Sequence, residues 1–452
     1  MTMEERANRT TGGLPAGDGA AAKVVTGSLD DLPVEVRLHR LEALVAASES
    51  LNRASGLNEI LRTILDHLYQ QLRCDRATVF LLDSRTGKLH ARQMIGSEHI
   101  EILLERGRGI AGYVAERGES VLINDVQNDP RFDRTTDLRT GYTTLSMLCV
   151  PLRKPEGTLL GSLQAINAAE GAFSQTDLAY LESFGALAAV AVEREQLAQE
   201  AMRSQLISTE LELARTIQQR LLPAPGHIQL PAPLAAWGVS QPCYDVGGDA
   251  YDAVVLQNGD CAFWIVDVSG KGIGAALLMT TLQTELRAIV REHADLAQLA
   301  ADLNTRVARV APTGTYATLF LGLLSPSTRQ FRYVNAGHLT PLWWLPREGA
   351  IADCDCTAGG LPVGLLPGAS YEEGRGTFPA GARLALFTDG LTDAENTEGE
   401  TYEADGVTSS LSQIDSPDPA HLGARLLSDL DRFRMSVPAN DDTTLLVVGL
   451  DG

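Results

Sequence analysis

No apolar run in this chain approaches the roughly 18 residues of a membrane span, and its opening stretch MTMEERANRTTGG lacks the apolar centre of a secretion signal. A cytoplasmic protein with no membrane partner is therefore expected. Basic residues are in short supply: 37 Lys and Arg face 58 Asp and Glu, a formal net charge of −21. Such a field repels nucleic acid and favours cations and basic partners, so no nucleic-acid partner is expected. Cysteine is sparse too. The six, at 74, 149, 243, 261, 354 and 356, form no CxxC pair. Most lie in apolar runs and read as small core residues in a reducing compartment. Cys354 and Cys356, in DCDC (353–356), have no His or further Cys nearby, which argues for a surface loop and against a soft-metal site. Aromatics are only 5%, against 44% apolar and 21% charged residues across 452 positions. That balance allows buried cores in two or three domains.

What is present changes texture along the chain. Residues 1–32 lack periodicity and read as a disordered tail. From Pro33 a helix is expected to about residue 56, with Leu38, Leu41 and Val45 at helical spacing. LNEILRTILDHLYQQL (57–72) reads as a second helix. ATVFLLD (77–83), KLHARQMIG (88–96), MLCVPLR (147–153) and LLGSLQAINA (159–168) read as strands. FSQTDLAYLESFGALAAVAVEREQL (173–197) is helical, with Ser174 at its N-cap. A literal GxGxxG at Gly107, Gly109 and Gly112 invites a dinucleotide reading, which needs a strand before it. A charged helical stretch is expected there instead, so that reading is set aside.

Residues 57–195 thus form an α+β module. It resembles a GAF domain, on the strength of GRGIAGYVAERGESVLINDVQNDPRF (107–132), VPLR (150–153) and LLGSLQAINA. GAF domains bind small ligands or dimerise. Of the signature carried by cyclic-nucleotide members, Asn167, Phe173 and Asp177 match, but Ala168 and Leu178 depart from it. The GAF ligand is therefore left unknown.

EREQLAQEAMRSQLISTELELARTIQQRLL (193–222) runs without Gly or Pro to Pro223, a helix of roughly 45 Å at 1.5 Å per residue. Ile207, Leu211, Ala214 and Leu221 share a seam, with Leu206, Leu213 and Ile217 beside it. Residues 196–222 therefore read as a connector helix, a coiled coil in a homodimer.

Beyond Pro223 aspartates gather at turns. DVGGDAYD (245–252) holds three around a glycine pair, with no Lys or Arg. CAFWIVDVSGKGIGAALLMTTLQTEL (261–286) is an apolar strand ending at Asp267, followed by a glycine turn and a helix. ARLALFTDGLTDAEN (382–396) repeats that plan at Asp389, and NDDTTLLVVGL (440–450) inverts it with Asp441 and Asp442. One acidic turn means little, but acids at the ends of neighbouring strands repel each other unless a cation neutralises them. All-oxygen clusters select Mg²⁺ or Mn²⁺. Two such ions, about 3.5–4 Å apart, can activate a water at neutral pH.

With ELELARTIQQRLLP (210–223), FRYVNAGHLTPL (331–342) and GGLPVG (359–364), these turns make residues 223–452 resemble the metal-dependent protein phosphatases (PPM, type 2C), in the bacterial SpoIIE/RsbU-like branch. The resemblance implies an α-β-β-α sandwich holding two ions, Mn²⁺ or Mg²⁺. It implies Asp267 as the carboxylate both ions share, Asp389 and Asp441 completing one site, and Asp249 with the Val268 carbonyl completing the other. Asp442 is not separated from Asp441 on sequence. The implied reaction is hydrolysis of phosphoserine or phosphothreonine, in a phosphorylated regulator of STAS (anti-anti-sigma) type. His338 is open between general acid and hydrogen-bonded turn residue, and Lys271 between phosphate contact and solvated lysine. Asp252 and Asp393 read as structural. Two other classes are weighed: a catalytically silent GAF-dimer scaffold, against which intact acids at all four turns argue, and a small-molecule phosphomonoesterase, for which no base-binding or basic pocket motif is present.

Overall fold

The computed structural model describes residues 33–95, 102–292, 295–312, 314–345 and 350–451; the tail expected over 1–32 lies outside them. The chain divides into two units, Met1–Ser204 and Gln205–Gly452. Among the described residues no helix is long and apolar enough to cross a membrane.

The first unit contains α1 (Val34–Arg53), α2 (Leu57–Leu72), β1 (Cys74–Leu82), β2 (Leu89–Ile95), β3 (Leu103–Leu104), α3 (Gly109–Arg117), β4 (Val121–Ile123), α4 (Thr135–Thr140), β5 (Met147–Arg153), β6 (Leu159–Ala168) and the start of α5 (Gln175–Gln219). The strands make one sheet in the order β3-β2-β1-β6-β5-β4, every pairing antiparallel. Helices α1, α2 and α5 bury one of its faces, with Ile60, Ile64, Leu68 and Phe184 fully enclosed. α1 docks through Ala43, Leu44, Ala47 and Leu51, while Leu38, Leu41 and Val45, the stripe read from the sequence, are exposed. Small alanines on the inner face allow close approach, and that face was not the most apolar one.

At the start of α5, Ser174 Oγ accepts from the Asp177 N–H (3.2 Å) and the Asp177 carboxylate accepts from the Ser174 N–H (3.0 Å). This reciprocal cap satisfies amides that the first helical turn leaves without partners. α5 then runs for 45 residues across the division between the units. The stretches read separately as 173–197 and 193–222 form this one helix. Leu206, Ile207, Leu213 and Ile217 on it are exposed.

The second unit adds β7 (Gly226–Ile228), β8 (Leu234–Gln241), β9 (Asp249–Val255), β10 (Cys261–Val268), α6 (Ile273–Ile289), α7 (Leu296–Val310), β11 (Ala317–Leu324), β12 (Gln330–Ala336), β13 (Leu342–Leu345), β14 (Ala350–Asp353), β15 (Gly359–Gly360), β16 (Gly374–Thr377), β17 (Arg383–Phe387), α8 (Asp389–Thr392), α9 (Glu403–Ser412), α10 (Pro419–Arg434) and β18 (Thr443–Leu450). Two sheets result. One runs β15-β12-β11-β10-β9 with β16 on β12, and the other β14-β13-β17-β18-β8-β7. Their inner faces share a core of Phe263, Ile265, Phe320, Phe331, Leu384, Leu446 and Val448. α6 and α7 cover the outer face of the first sheet, and α9 and α10 that of the second. This is the expected α-β-β-α sandwich.

Two expectations need correction. Cys354 and Cys356 do not sit on a surface loop: they are buried between the sheets and joined as a disulfide, with Cα atoms 5.0 Å apart. The stretch DCDC alternates with the period of an extended chain, so both thiols turn inward while Asp353 and Asp355 stay exposed. The segment before GxGxxG is the short strand β3 and a turn, with no helix. A strand therefore precedes the motif after all. The dinucleotide reading fails for a different reason, since that reading requires parallel βαβ pairing and β3 pairs antiparallel with β2.

Candidate metal centre

β9 opens on Asp249 and β10 ends on Asp267-Val268, and antiparallel register sets Asp249 directly opposite Asp267. From the second sheet, β17 stops at Phe387, which pairs with Leu445 near the start of β18. Asp389, two residues past β17, and Asp441-Asp442, just ahead of β18, therefore lie at one end. Side chains stitch the two sheet ends together. Thr388 Oγ1 donates to Asp249 Oδ2 at 2.8 Å, and the N–H groups of Cys243 and Gly248 donate to Asp442 Oδ1 and Oδ2 at 2.7 and 2.6 Å. All six residues singled out on sequence (Asp249, Asp267, Val268, Asp389, Asp441 and Asp442) are gathered at this end of the sandwich.

Close backbone approach explains two of the glycines. A Cβ on Gly390 would lie 2.0 Å from the Asp442 carbonyl oxygen, and one on Gly247 would lie 2.8 Å from Asp442 Oδ2. Any larger residue would force these turns apart.

The electrostatics follow from burial and crowding. The Asp249 carboxyl is held well above the usual carboxylate range, by burial first and then by Asp267 and Asp442. Asp267 is pushed to about 7 by burial, with Asp389, Asp441 and Asp442 adding repulsion. Asp389 is raised by burial and by Asp441 and Asp393. These carboxylates find too few internal donors to stay charged comfortably, and a cation would relieve all of them.

The donor set favours a hard ion. Cys243, Asp441 and Asp442 can bring one ligand atom each within 4.8 Å of one another. Burial pushes the Cys243 thiol up to about 11, and a single thiol among carboxylates does not suit a hard-ion site. Asp442 accepts backbone N–H groups at both oxygens, while Asp441 Oδ1 accepts from the Asp442 N–H at 2.8 Å and its Oδ2 meets Lys271 Nζ at 2.9 Å. What remains available is oxygen, as Mg²⁺ and Mn²⁺ require.

The other acids of the motifs part company. Asp245 is exposed, while Asp252 is buried and takes a hydrogen bond from Gln283 Nε2 (2.8 Å) and an ion pair from Arg287. Asp393 is exposed and bonds to Thr392 Oγ1 at 3.2 Å. Lys271 does not hang free in solvent: it joins Asp441 and donates to the Asn440 carbonyl. His338 is buried with Nδ1 2.7 Å from Thr318 Oγ1, and its own N–H donates to Asn335 Oδ1 at 2.8 Å. Burial lowers this imidazole to about 4, so it is neutral at pH 7 and suits the turn-residue reading. Thr388, which the sequence reading does not single out, joins the site through Asp249, and its place beside the strand-terminal Asp389 is the one local signal.

In the first unit, Arg76, Phe80, Ile110, Tyr142, Met147 and Gln164 help line a small cavity of ≈ 90 Å³. The residues that survive from the GAF nucleotide signature are spent on structure. Asn167 Oδ1 accepts from the N–H groups of Leu145 (2.7 Å) and Ser146 (3.2 Å), Phe173 is core, and Asp177 caps α5 and pairs with Arg40 at 2.6 Å.

Comparison with known proteins bears on both units. The family description "Stage II sporulation protein E (SpoIIE)" matches residues 257–451, and "GAF domain" matches 56–192. The phosphoserine phosphatase RsbU of Bacillus subtilis is 27% identical over 195 residues, 43% of this chain and 57% of that protein. Protein IcfG of Synechocystis is 30% identical over 223 residues, 43% of this chain and 34% of its own length. A probable 3′,5′-cyclic phosphodiesterase of Caenorhabditis elegans is 30% identical over 162 residues, 33% of this chain and 22% of that one. The chain thus spans less than two thirds of each of these relatives. Among solved structures, the SiaA-PP2C domain of Pseudomonas aeruginosa has a TM-score of 0.47 at 20% identity, covering 56% of this chain and 99% of that one. The PP2C phosphatase domain with a regulatory fragment of SpoIIE from Bacillus subtilis has a TM-score of 0.43 at 14% identity, covering 92% and 95%. Residues 56–192 are thus a GAF domain, and residues 257–451 belong to a SpoIIE-type domain of the PPM phosphatase family.

Proposed function

We propose that this protein is a divalent-metal-dependent protein phosphatase acting on phosphoserine or phosphothreonine, with Mn²⁺ or Mg²⁺ held by Asp249, Asp267, Asp389, Asp441 and the Val268 carbonyl. One observation carries the reading: four acidic turns, distant in sequence, meet at one end of the sandwich, and three of their carboxyls have raised pKa values. When bound, two divalent ions would supply an activated water and neutralise charge developing on the phosphoryl oxygens. The chain's own residues then have separate tasks. Thr388 orients Asp249 by donating to it, Asp442 braces the glycine turn, and Lys271 places an ammonium at the rim beside Asp441.

The name of the relative RsbU, a phosphoserine phosphatase, supports phosphoserine as the group hydrolysed, and the SpoIIE/RsbU-like branch suggests a phosphorylated STAS-type regulator. The proposed domains are 57–195 (GAF), 196–222 (connector) and 223–452 (phosphatase). The exposed apolar residues of α5 support a homodimer paired along the connector, through which the GAF domain regulates hydrolysis. Assays of a phosphoserine peptide, a nucleotide and a phosphorylated STAS protein, with and without Mn²⁺, test this. Turnover of the phosphoprotein, stopped by chelation and restored by Mn²⁺ or Mg²⁺ but poorly by Zn²⁺, is expected. Turnover of the nucleotide alone, or undiminished turnover in metal-free protein, would refute it.

A further inference from the structure

The last full turn of α5 grips the glycine turn that leads into Asp249. Gln218 is buried, its Nε2 donates to the Gly247 carbonyl at 2.8 Å, and its Oε1 accepts from the Gly247 N–H at 3.1 Å. One primary amide thus engages both backbone polar groups of a single residue, as a neighbouring strand would. No other type of side chain does this at that reach: Glu cannot donate, and Asn is one methylene shorter. The opposite side of the same turn is held by Asp442, through the Gly248 N–H at 2.6 Å. Two more bonds fasten the chain leaving α5 to the neighbourhood of Asp249. Gln283 Nε2 donates to the Leu221 carbonyl at 3.2 Å, and Tyr251 Oη donates to the Pro223 carbonyl at 3.1 Å. Meanwhile Ile217, the residue before Gln218, is exposed.

We propose that Gln218 is a positioning residue whose amide clasp on Gly247 sets the Asp249 carboxylate for its cation. The proposal rests on the metal-site reading above. Burial makes the clasp consequential, because breaking it leaves a buried N–H and a buried carbonyl without partners.

The test uses the full chain carrying Gln218→Leu, which keeps the bulk and loses both bonds of the clasp together with a longer one (3.5 Å) to the Ala276 carbonyl, and Gln218→Glu, which keeps only the acceptor. Gln219→Leu, an exposed neighbour, is the control. Mn²⁺ binding is titrated by calorimetry, and amide exchange of the 243–250 segment is followed in metal-free protein. Gln218→Leu should bind Mn²⁺ about tenfold more weakly, exchange this segment faster, and recover hydrolysis at saturating Mn²⁺; Gln218→Glu should fall between it and the parent. Should leucine unfold the chain, Gln218→Glu carries the test. A parent that binds Mn²⁺ and a Gln218 variant with the same constant and the same exchange would overturn the proposal alone. A parent that binds no Mn²⁺ would overturn the metal-site reading and this proposal with it.

Discussion

The acids of a first-unit loop and the acids clustered at the end of the sandwich meet opposite circumstances. In the first, Asp129 is held below the usual range by its hydrogen bond to Arg131, and Asp133 by Thr135 and Arg108. Donors stand beside each acid, Arg131 and Thr135 from its own loop and Arg108 from the start of α3, so each charge is settled where it stands. In the second, Asp249, Asp267 and Asp389 are raised by burial and by one another. The same residue type serves structure when the fold brings donors to it, and prepares for a ligand when the fold brings only more acids.

The contrast is broken most directly by removing an acid. Asp267→Ala or Asp389→Ala should reduce phosphopeptide hydrolysis to background while leaving a folded protein, since the change also relieves repulsion in metal-free protein. A well-folded variant with near-parental turnover would show that the crowding has another purpose.

A pH titration sharpens it. Asp267 rises from 3.8 to about 7 on folding, so the folded state holds this proton more tightly than the unfolded chain. Its stabilisation is complete below about pH 4 and is lost as the pH rises through about 7. The unfolding midpoint of metal-free protein should therefore fall across that window. Asp267→Asn should flatten the fall, and Mn²⁺ should abolish it. A parent profile identical to that of Asp267→Asn would contradict the crowding argument.

Smaller effects separate orientation from charge. Thr388→Val should destabilise the second unit by about 1–3 kcal/mol, because buried Thr388 donates to Asp249 and accepts from the Thr444 N–H at 2.9 Å. Urea unfolding followed by Trp fluorescence would measure it. Smallest of all, Asp133→Asn should cost under about 1 kcal/mol, its ion-pair partner Arg108 being largely exposed, and should leave the Mn²⁺ requirement unchanged. A shifted Mn²⁺ requirement in that variant would blur the distinction between the two groups of acids.

Much of this was legible locally. α2, β5 and β6 coincide with continuous apolar or periodic runs bounded by turn residues, and the acids announced themselves by standing at strand ends. What escaped depended on partners far along the chain. β3 is two residues long and exists because β2 pairs with it. The inward face of DCDC is set by the sheets around it. Thr388 and Gln218 find their partners 139 and 29 residues away, so no window of sequence displays those bonds. The different partners of Asp441 and Asp442 likewise appear only when Lys271 and the Cys243 and Gly248 amides are placed.

The contact at Gly390 bears on how this centre tolerates change. With a Cβ there only 2.0 Å from the Asp442 carbonyl oxygen, the turns carrying Asp389 and Asp441 touch through bare backbone. They behave as one hinge-less block, so a single added methyl group at 390 is a wedge driven into the joint. Substitutions on the surrounding surface can accumulate gradually, but at this joint the smallest possible enlargement is already too large, and variation there should be all or nothing.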